Sequence, residues 1–300
     1  MPRRETEMEF SPLVSVVIPT HNRREKLIRL INSVMRSKCP QCRIEIIVVD
    51  DASTDETFKF IRNLFPQIKL LKNNRELFPS ACRNLGIRSS MGNYIFLVDD
   101  DNVLDENTIS ELVKIFTKYK NVGLAGPISF YYTNSEKIFC AGGKLNPPMF
   151  FPTYIGQGSS LDNFSARSLI ECDYIPNAFM INKTVIDDVG LFDEKLPIAW
   201  EEVDFAVRIK KRGYKIVVST TAKVFHDVPT TKDFHIKKSR SYWRGRNRII
   251  FYRKYVTARC LFIFIDILGF IVLLLKVNKS LRECLFQYLK GIKDGLISKN

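Results

Sequence analysis

Residues 94–101 read Tyr94-Ile-Phe-Leu-Val98 followed by Asp99-Asp100-Asp101, and this stretch decides the fold. The β-branched, aromatic and aliphatic residues form a buried central strand, and ligands of an open α/β sheet gather outside the carboxyl ends of such strands. The three carboxylates stand at that end. They repel one another, and a hard divalent cation, which takes oxygen ligands and can bridge to a substrate phosphate, relieves the repulsion. Taken alone, the run is equally an acidic turn capping a helix that begins near Asp105. The rest of the chain separates the two accounts.

Outward from this strand the pattern repeats. Leu13–Ile18 is a strand stopping at Pro19, Thr20-His21-Asn22 is the turn, and Asn22 with Glu25 caps a helix whose Leu27, Leu30, Ile31 and Val34 cover the sheet. Strand Ile44–Val49 ends in Asp50-Asp51, and Ser53-Thr-Asp-Glu56 reads as a capping box before a helix carrying Phe58, Ile61 and Leu64. A third strand follows at Ile68–Leu71. The alternation predicts an α/β fold with a doubly wound, mostly parallel sheet, and sets Thr20, Asp51 and Asp99 along one rim. No glycine fingerprint follows either early strand, which argues against a nicotinamide or flavin dinucleotide site. A phospho-receiver domain would need a lone acidic phosphoacceptor on the third strand and a later Lys, and neither is in evidence. A nucleotide read by a carboxylate after the second strand, its diphosphate neutralised by a metal on Asp99–Asp101, fits this rim.

Four ordered segments carry a family resemblance: Val16-Val-Ile-Pro-Thr-His-Asn-Arg23, Val48-Val-Asp-Asp-Ala-Ser-Thr-Asp-Glu-Thr57, Ala81-Cys-Arg-Asn-Leu-Gly-Ile87 and Phe96-Leu-Val-Asp-Asp-Asp101. In order and spacing they resemble the family 2 glycosyltransferases with a GT-A fold. The likeness extends to Phe192-Asp-Glu194, Trp200-Glu-Glu-Val-Asp-Phe-Ala-Val-Arg208 and Val224-Phe-His226, covering residues 13 to 230. It implies inverting sugar transfer from a nucleoside diphosphate sugar, UDP foremost. It also implies donor contacts from Pro19, Thr20, Asn22, Asp51, Arg83, Asp100 and Trp200, with Asp51 reading the base. Mg²⁺ or Mn²⁺ would sit on Asp99 and Asp101, with His226 completing the site as imidazole suits Mn²⁺.

Such a reaction needs a cation at the leaving diphosphate and a base on the opposite face to deprotonate the acceptor hydroxyl. Glu201-Glu202-Val-Asp204 opens an amphipathic helix and supplies the second acidic group, although acids also favour a first helical turn by offsetting the dipole. The family usually has Glu-Asp where this chain has Glu201-Glu202, so the base falls on Glu202, with Glu201 and Asp204 as substitutes. Asn177 stands where relatives often carry Gly, and Asn is the residue that best tolerates positive φ there. The segment from Asn146 to Ser168 reads as a long irregular insertion, with Tyr154 and Phe164 available to an acceptor.

The cysteines number seven, irregularly spaced; Cys39-Pro-Gln-Cys42 precedes a strand, without a second pair, and no redox or metal role is expected of it. Residues 237–300 hold 15 of the 46 Lys and Arg residues and three of the 32 acids, so the body before them is nearly neutral. Within them, Lys237–Arg259 interleaves nine basic residues with aromatics and leads into Cys260–Leu275, apolar except for Asp266. This favours a membrane surface over nucleic acid as partner. At 16 residues the run is short for a bilayer core, so an interfacial helix or a re-entrant hairpin with Leu281–Leu289 is expected, a single span near 256–277 being the alternative. The division expected is 1–10 disordered, 11–236 catalytic, and 237–300 a helical tail on the cytoplasmic face of the membrane, since Met1–Phe10 lacks an apolar signal run. The acceptor would be lipid-linked or a polysaccharide. A catalytically silent nucleotide-sugar-binding or membrane-scaffolding protein is the alternative, and intact Asp99, Asp101, Glu202 and Asp204 favour the enzyme.

Overall fold

The computed structural model describes residues 11–146, 150–164, 168–228, 238–256 and 279–298. In chain order the elements are β1 (Leu13–Thr20), α1 (Arg24–Met35), β2 (Arg43–Asp50), α2 (Thr57–Leu64), β3 (Lys69–Lys72), α3 (Phe78–Arg88), β4 (Tyr94–Val98), β5 (Asn102–Leu104), α4 (Thr108–Lys118) and β6 (Val122–Tyr131). Then come β7 (Asn134–Cys140), β8 (Gly143–Asn146), β9 (Phe151–Tyr154), β10 (Leu169–Glu171), β11 (Ala178–Asn182), α5 (Lys183–Val189), α6 (Glu201–Lys211), β12 (Lys215–His226), α7 (Lys238–Tyr255) and α8 (Lys279–Ile297).

The main sheet runs β10-β12-β6-β11-β4-β1-β2-β3. From β3 to β4 every pairing is parallel, as the alternation of strands and helices requires, with Val14 opposite both Ile44 and Tyr94. Beyond β4 the sheet is mixed: β11 lies antiparallel to both β4 and β6, while β6 and β12 are parallel. Both faces are covered. Val16, Ile18, Phe96 and Val98 pack with Leu27 and Leu30 of α1 and Leu112 of α4, whereas Val17, Ile95 and Leu97 point to the other face with Phe205 of α6 and Phe251 of α7. Period-2 alternation on β1 and β4 thus feeds two cores, which is why those strands read as unbroken apolar runs.

Several local expectations change in the folded chain. Asn22 does not cap α1: it sits at φ 52° and its Oδ1 accepts the Thr54 N–H, tying together the loops that follow β1 and β2. The Ser53–Glu56 capping box does not form either, because the Ser53 N–H turns back to Asp50 Oδ1 and Glu56 is left-handed, so α2 starts at Thr57 and leaves Leu64 exposed. The insertion is not wholly irregular, since β8 and β9 pair as a hairpin. Cys39 and Cys42 are joined by a disulfide.

The segment read as a separate tail begins inside the body. Phe251 and Tyr252 of α7 are completely buried in the same core as α6. α8 lies against α7 at very close range: a Cβ built on Gly245 would stand 2.3 Å from the Tyr288 carbonyl oxygen, and one on Gly291 2.1 Å from that of Tyr242. Residues 1–10 and the apolar run Cys260–Leu275 lie outside the described residues. Among the described residues no helix is long and apolar enough to cross a membrane.

Gly86 lets α3 approach β1 closely enough to deliver Arg83 to the rim, since a Cβ there would lie 2.2 Å from Val17 Cγ1. Gly86→Val should cost about 1–3 kcal/mol through overpacking. The urea midpoint of the variant measures this, and an unchanged midpoint would show that α3 has room to spare.

Candidate active site

The rim forms because parallel strands end in step. Thr20 closes β1 opposite Asp50, the Asp51 N–H donates to the Thr20 carbonyl, and β4 ends one residue before Asp99. Arg83 reaches this rim from α3 and is buried. Its guanidinium donates to Asp99 Oδ1 at 2.8 Å, Glu202 Oε1 at 2.9 Å and Glu201 Oε1 at 3.0 Å. The strand-end acid and the acids opening α6 are therefore held by one side chain.

Asn177 supplies a second link. At φ 59° it adopts the left-handed conformation expected of it. Its carbonyl accepts the Asp99 N–H at 2.8 Å and its own N–H donates to Glu202 Oε1 at 3.2 Å, while its side-chain amide is held by Asn102 and Ser129.

The other two aspartates face α1. Asp100 accepts from Thr20 Oγ1 at 2.7 Å and from Arg23, and the same Arg23 nitrogen reaches Asp101 Oδ2 at 2.9 Å. His226 meets Asp101 because β12 pairs antiparallel with β5, placing His226 opposite Asn102 and its Nε2 3.2 Å from Asp101 Oδ1. Burial pushes the Asp100 carboxyl up to about 6 against the pull of Arg23. Burial would raise Asp101 too, but His226 and Arg23 hold it well below the usual carboxylate range. For Glu202 burial outweighs Arg83, and with Glu201 and Asp99 adding repulsion its carboxyl titrates above the ordinary range.

Not every expected residue arrives here. Asp204 is turned away and completely buried, its carboxylate receiving Arg208, Lys254 and Tyr255, so it cannot serve as a substitute base. Trp200 faces α7, its ring 4.9 Å from Phe251, and Pro19 is buried within β1. Asp51 is at the rim, but its oxygens accept from Asn73, Leu77 N–H and Phe78 N–H, which fixes the turn into α3. About four lone-pair sites exist on a carboxylate, so little capacity remains for a base. Arg23, which neutralises two of the three aspartates, had no signal beyond its place in a motif.

A divalent ion is tested by the donors present. Among the described residues no three His, Cys, Asp or Glu side chains converge as a finished metal centre, because Asp99 is turned to Arg83 while Asp101 faces His226 and Arg23. The donor chemistry nevertheless fits: carboxylate oxygens beside an imidazole nitrogen suit Mn²⁺, and five acids on this rim face two guanidiniums.

This mixed, largely parallel sheet resembles that of the GT-A glycosyltransferases. The sequence agrees: the family model described as glycosyl transferase family 2 matches residues 15–189, more than half of the chain, and the chain belongs to that family. Among its relatives are an uncharacterised protein of Sinorhizobium fredii, 27% identical over 73% of this chain and 25% of its own length, and the glycosyltransferase AglE of Haloferax volcanii, 24% identical over 72% of this chain and 66% of that protein. The poly(ribitol-phosphate) beta-N-acetylglucosaminyltransferase TarP of Staphylococcus aureus is 36% identical over 33% of this chain and 31% of its own. The chain thus spans about a quarter of the first relative and a third of TarP. In fold it resembles GalNAc-T7 crystallised with UDP, GalNAc and Mn²⁺, with a TM-score of 0.63 at 18% identity over 79% of this chain and 48% of that one. A mannosyltransferase from Pyrobaculum calidifontis in complex with GDP-Man and Mn²⁺ gives 0.62 at 13% identity, over 97% of this chain and 89% of the other.

Replacing Arg83 by Met would leave the buried Glu201, and with it the partly exposed Glu202 and Asp99, without their cation, at a cost of about 3–5 kcal/mol at neutral pH. Burial already raises Glu201 and Glu202, and without the opposing pull of Arg83 their folded-state pKa values would lie further above the unfolded ones. The native state would bind more protons than the unfolded chain, so stability would fall as pH rises. Denaturation at pH 5 and pH 8 checks this: Arg83→Met should lose more at pH 8, and an equal loss would show that the carboxylates do not depend on Arg83.

Proposed function

We propose that this chain is an inverting glycosyltransferase that moves a sugar from a nucleoside diphosphate sugar, UDP foremost, to a lipid-linked or surface-glycan acceptor. The observation that carries this is Arg83 joining the strand-end aspartate to Glu202, which sets a diphosphate-side group and a base-side group on one rim. Glu202 is the base among the acids considered. Glu201 is buried on Arg83 and Asp204 is turned away, whereas Glu202 is partly exposed and its Oε2 accepts no hydrogen bond among the described residues.

In the reaction Glu202 takes the proton of the acceptor hydroxyl, whose oxygen forms a bond to the anomeric carbon. The bond from that carbon to the diphosphate oxygen breaks on the opposite face, and the nucleoside diphosphate leaves with the electron pair. Asp101 and His226, with Asp99, would hold a Mn²⁺ or Mg²⁺ ion that supplies positive charge to the leaving diphosphate. The UDP and GDP-Man complexes of the fold relatives, each with Mn²⁺, support this reading of the donor side.

Release of nucleoside diphosphate from a panel of nucleotide sugars with Mn²⁺ tests the proposal. Glu202→Gln should lower kcat by ~10²–10⁴ while sparing donor affinity, and Asp101→Ala should remove Mn²⁺-dependent nucleotide affinity. Glu202 acts ionised and burial raises its pKa, so kcat/KM should rise with pH through a value above the ordinary glutamate range. Full activity of Glu202→Gln would assign the proton transfer elsewhere.

The C-terminal segment is proposed to attach the enzyme to the cytoplasmic face of a membrane. On α8 the exposed Phe286, Leu296 and Ile297 share the outer surface with Lys290 and Lys293, an apolar and basic pairing suited to an anionic interface. The whole chain should co-sediment with phosphatidylglycerol-containing vesicles and less with neutral ones. Phe286→Glu with Ile297→Glu should weaken that binding, and equal sedimentation of variant and parent would assign attachment to other residues.

A further inference from the structure

Two consecutive non-glycine residues, Ala199 at φ 63° and Trp200 at φ 70°, stand directly before Glu201 and Glu202. Left-handed backbone is disfavoured for such side chains and persists only where the surroundings impose it. Nothing local does so: α6 begins without a side-chain cap. The restraint comes from α7, about fifty residues later.

Asn247 of α7 is completely buried, and its Nδ2 donates to the Ile198 carbonyl at 2.8 Å and the Ala199 carbonyl at 3.1 Å. Arg246 fixes the amide by donating to Asn247 Oδ1 at 2.8 Å, and the same nitrogen donates to the Lys195 carbonyl at 2.8 Å. Trp200 is backed by Phe251. One turn into α6, Asp204 accepts Lys254 Nζ at 3.0 Å and Tyr255 Oη at 2.9 Å. α7 therefore grips both the turn before α6 and the first turn of α6 itself. Glu202 lies between the two grips.

We propose that Asn247 is a positioning residue that holds the left-handed Ala199–Trp200 turn, and through it sets the place of the Glu202 carboxylate on the acidic rim. This rests on Glu202 being the base. Small displacements of a reacting group are costly, a shift of 1 Å being worth about 10²-fold in rate. The role thus predicts a loss in kcat with donor binding retained.

The test compares the full chain with Asn247→Ala, well below its melting temperature, by kinetics and by hydrogen exchange. Exchange over residues 195–204 should accelerate at least about tenfold while β1 and β4 keep their protection, kcat should fall about 10- to 100-fold, and donor KM should stay within about twofold. Adding Ala199→Gly, which adopts positive φ without strain, should restore part of the lost kcat. If Asn247→Ala does not fold, Asn247→Ser, with a donor of shorter reach, is held to the same outcomes. Unchanged exchange over 195–204, or faster exchange with unchanged kcat, overturns the proposal. A wild-type chain that turns over no nucleotide sugar instead overturns the reaction assigned to Glu202, a failure distinguished by the exchange result, which still reports whether Asn247 holds the turn.

Discussion

The burial of one guanidinium among three carboxylates is the constraint from which the rest of the molecule follows. Arg83 is nearly inaccessible, and its charge could not remain there without Asp99, Glu201 and Glu202. Those acids come from a strand end and a helix start more than a hundred residues apart in sequence. Only a planar fork of donors can address all of them, which a lysine ammonium on its flexible stem would not do. Gly86 then becomes necessary one turn further along α3, because any side chain there would push the helix away from Val17 and withdraw Arg83. Asn84, between them, exchanges hydrogen bonds with the backbone of Phe192 and so anchors the chain that leads to α6. A single helix turn carries the charge, the anchor and the space.

The second half of the rim is built by register. Because β12 pairs antiparallel with β5, the residue opposite Asn102 must be His226, and the residue before Asn102 must be Asp101. The contact between His226 and Asp101 is a consequence of that pairing, and no local signal in Val224-Phe-His226 announces it. Asp227 strengthens the same corner by accepting Lys26 and Arg29 from α1.

Much of this was legible in the sequence because rim residues obey a positional rule. Apolar strands followed by Thr20, Asp51 and Asp99 had to end on one side of a parallel sheet, and Asn177 had to be the residue that tolerates positive φ. What was not legible depended on distant partners. Asn22 and the Ser53–Glu56 box have the composition of caps, but their side chains and amides are used between loops, and tertiary bonding overrode local propensity. Asp204 has the same first-turn position as Glu202. Its fate was decided by Lys254 and Tyr255, residues whose approach no periodicity in α6 could reveal.

The same dependence changes how the basic, aromatic stretch before the apolar run is understood. Nine cations between Lys237 and Arg259 suggest an anionic partner when counted. In the folded chain Arg246 serves the Lys195 carbonyl, Arg248 lies among the Tyr252 and Tyr288 hydroxyls, Arg253 caps carbonyls at the end of α8, and Lys254 pairs with Asp193 and Asp204. The donors of these four side chains are engaged within the protein, those of Lys254 with acids, and the aromatics Phe251 and Tyr252 are core rather than surface. The composition that resembled an interface belt is, over α7, that of a helix docked on the acid-rich start of α6. The membrane attachment proposed above would then draw on cations that remain exposed. Among the described residues Lys290 and Lys293 stand beside the exposed apolar side chains of α8. The two helices of the tail therefore divide the work: α7 faces inward to the site, and α8, packed on it through glycine, offers the outward face.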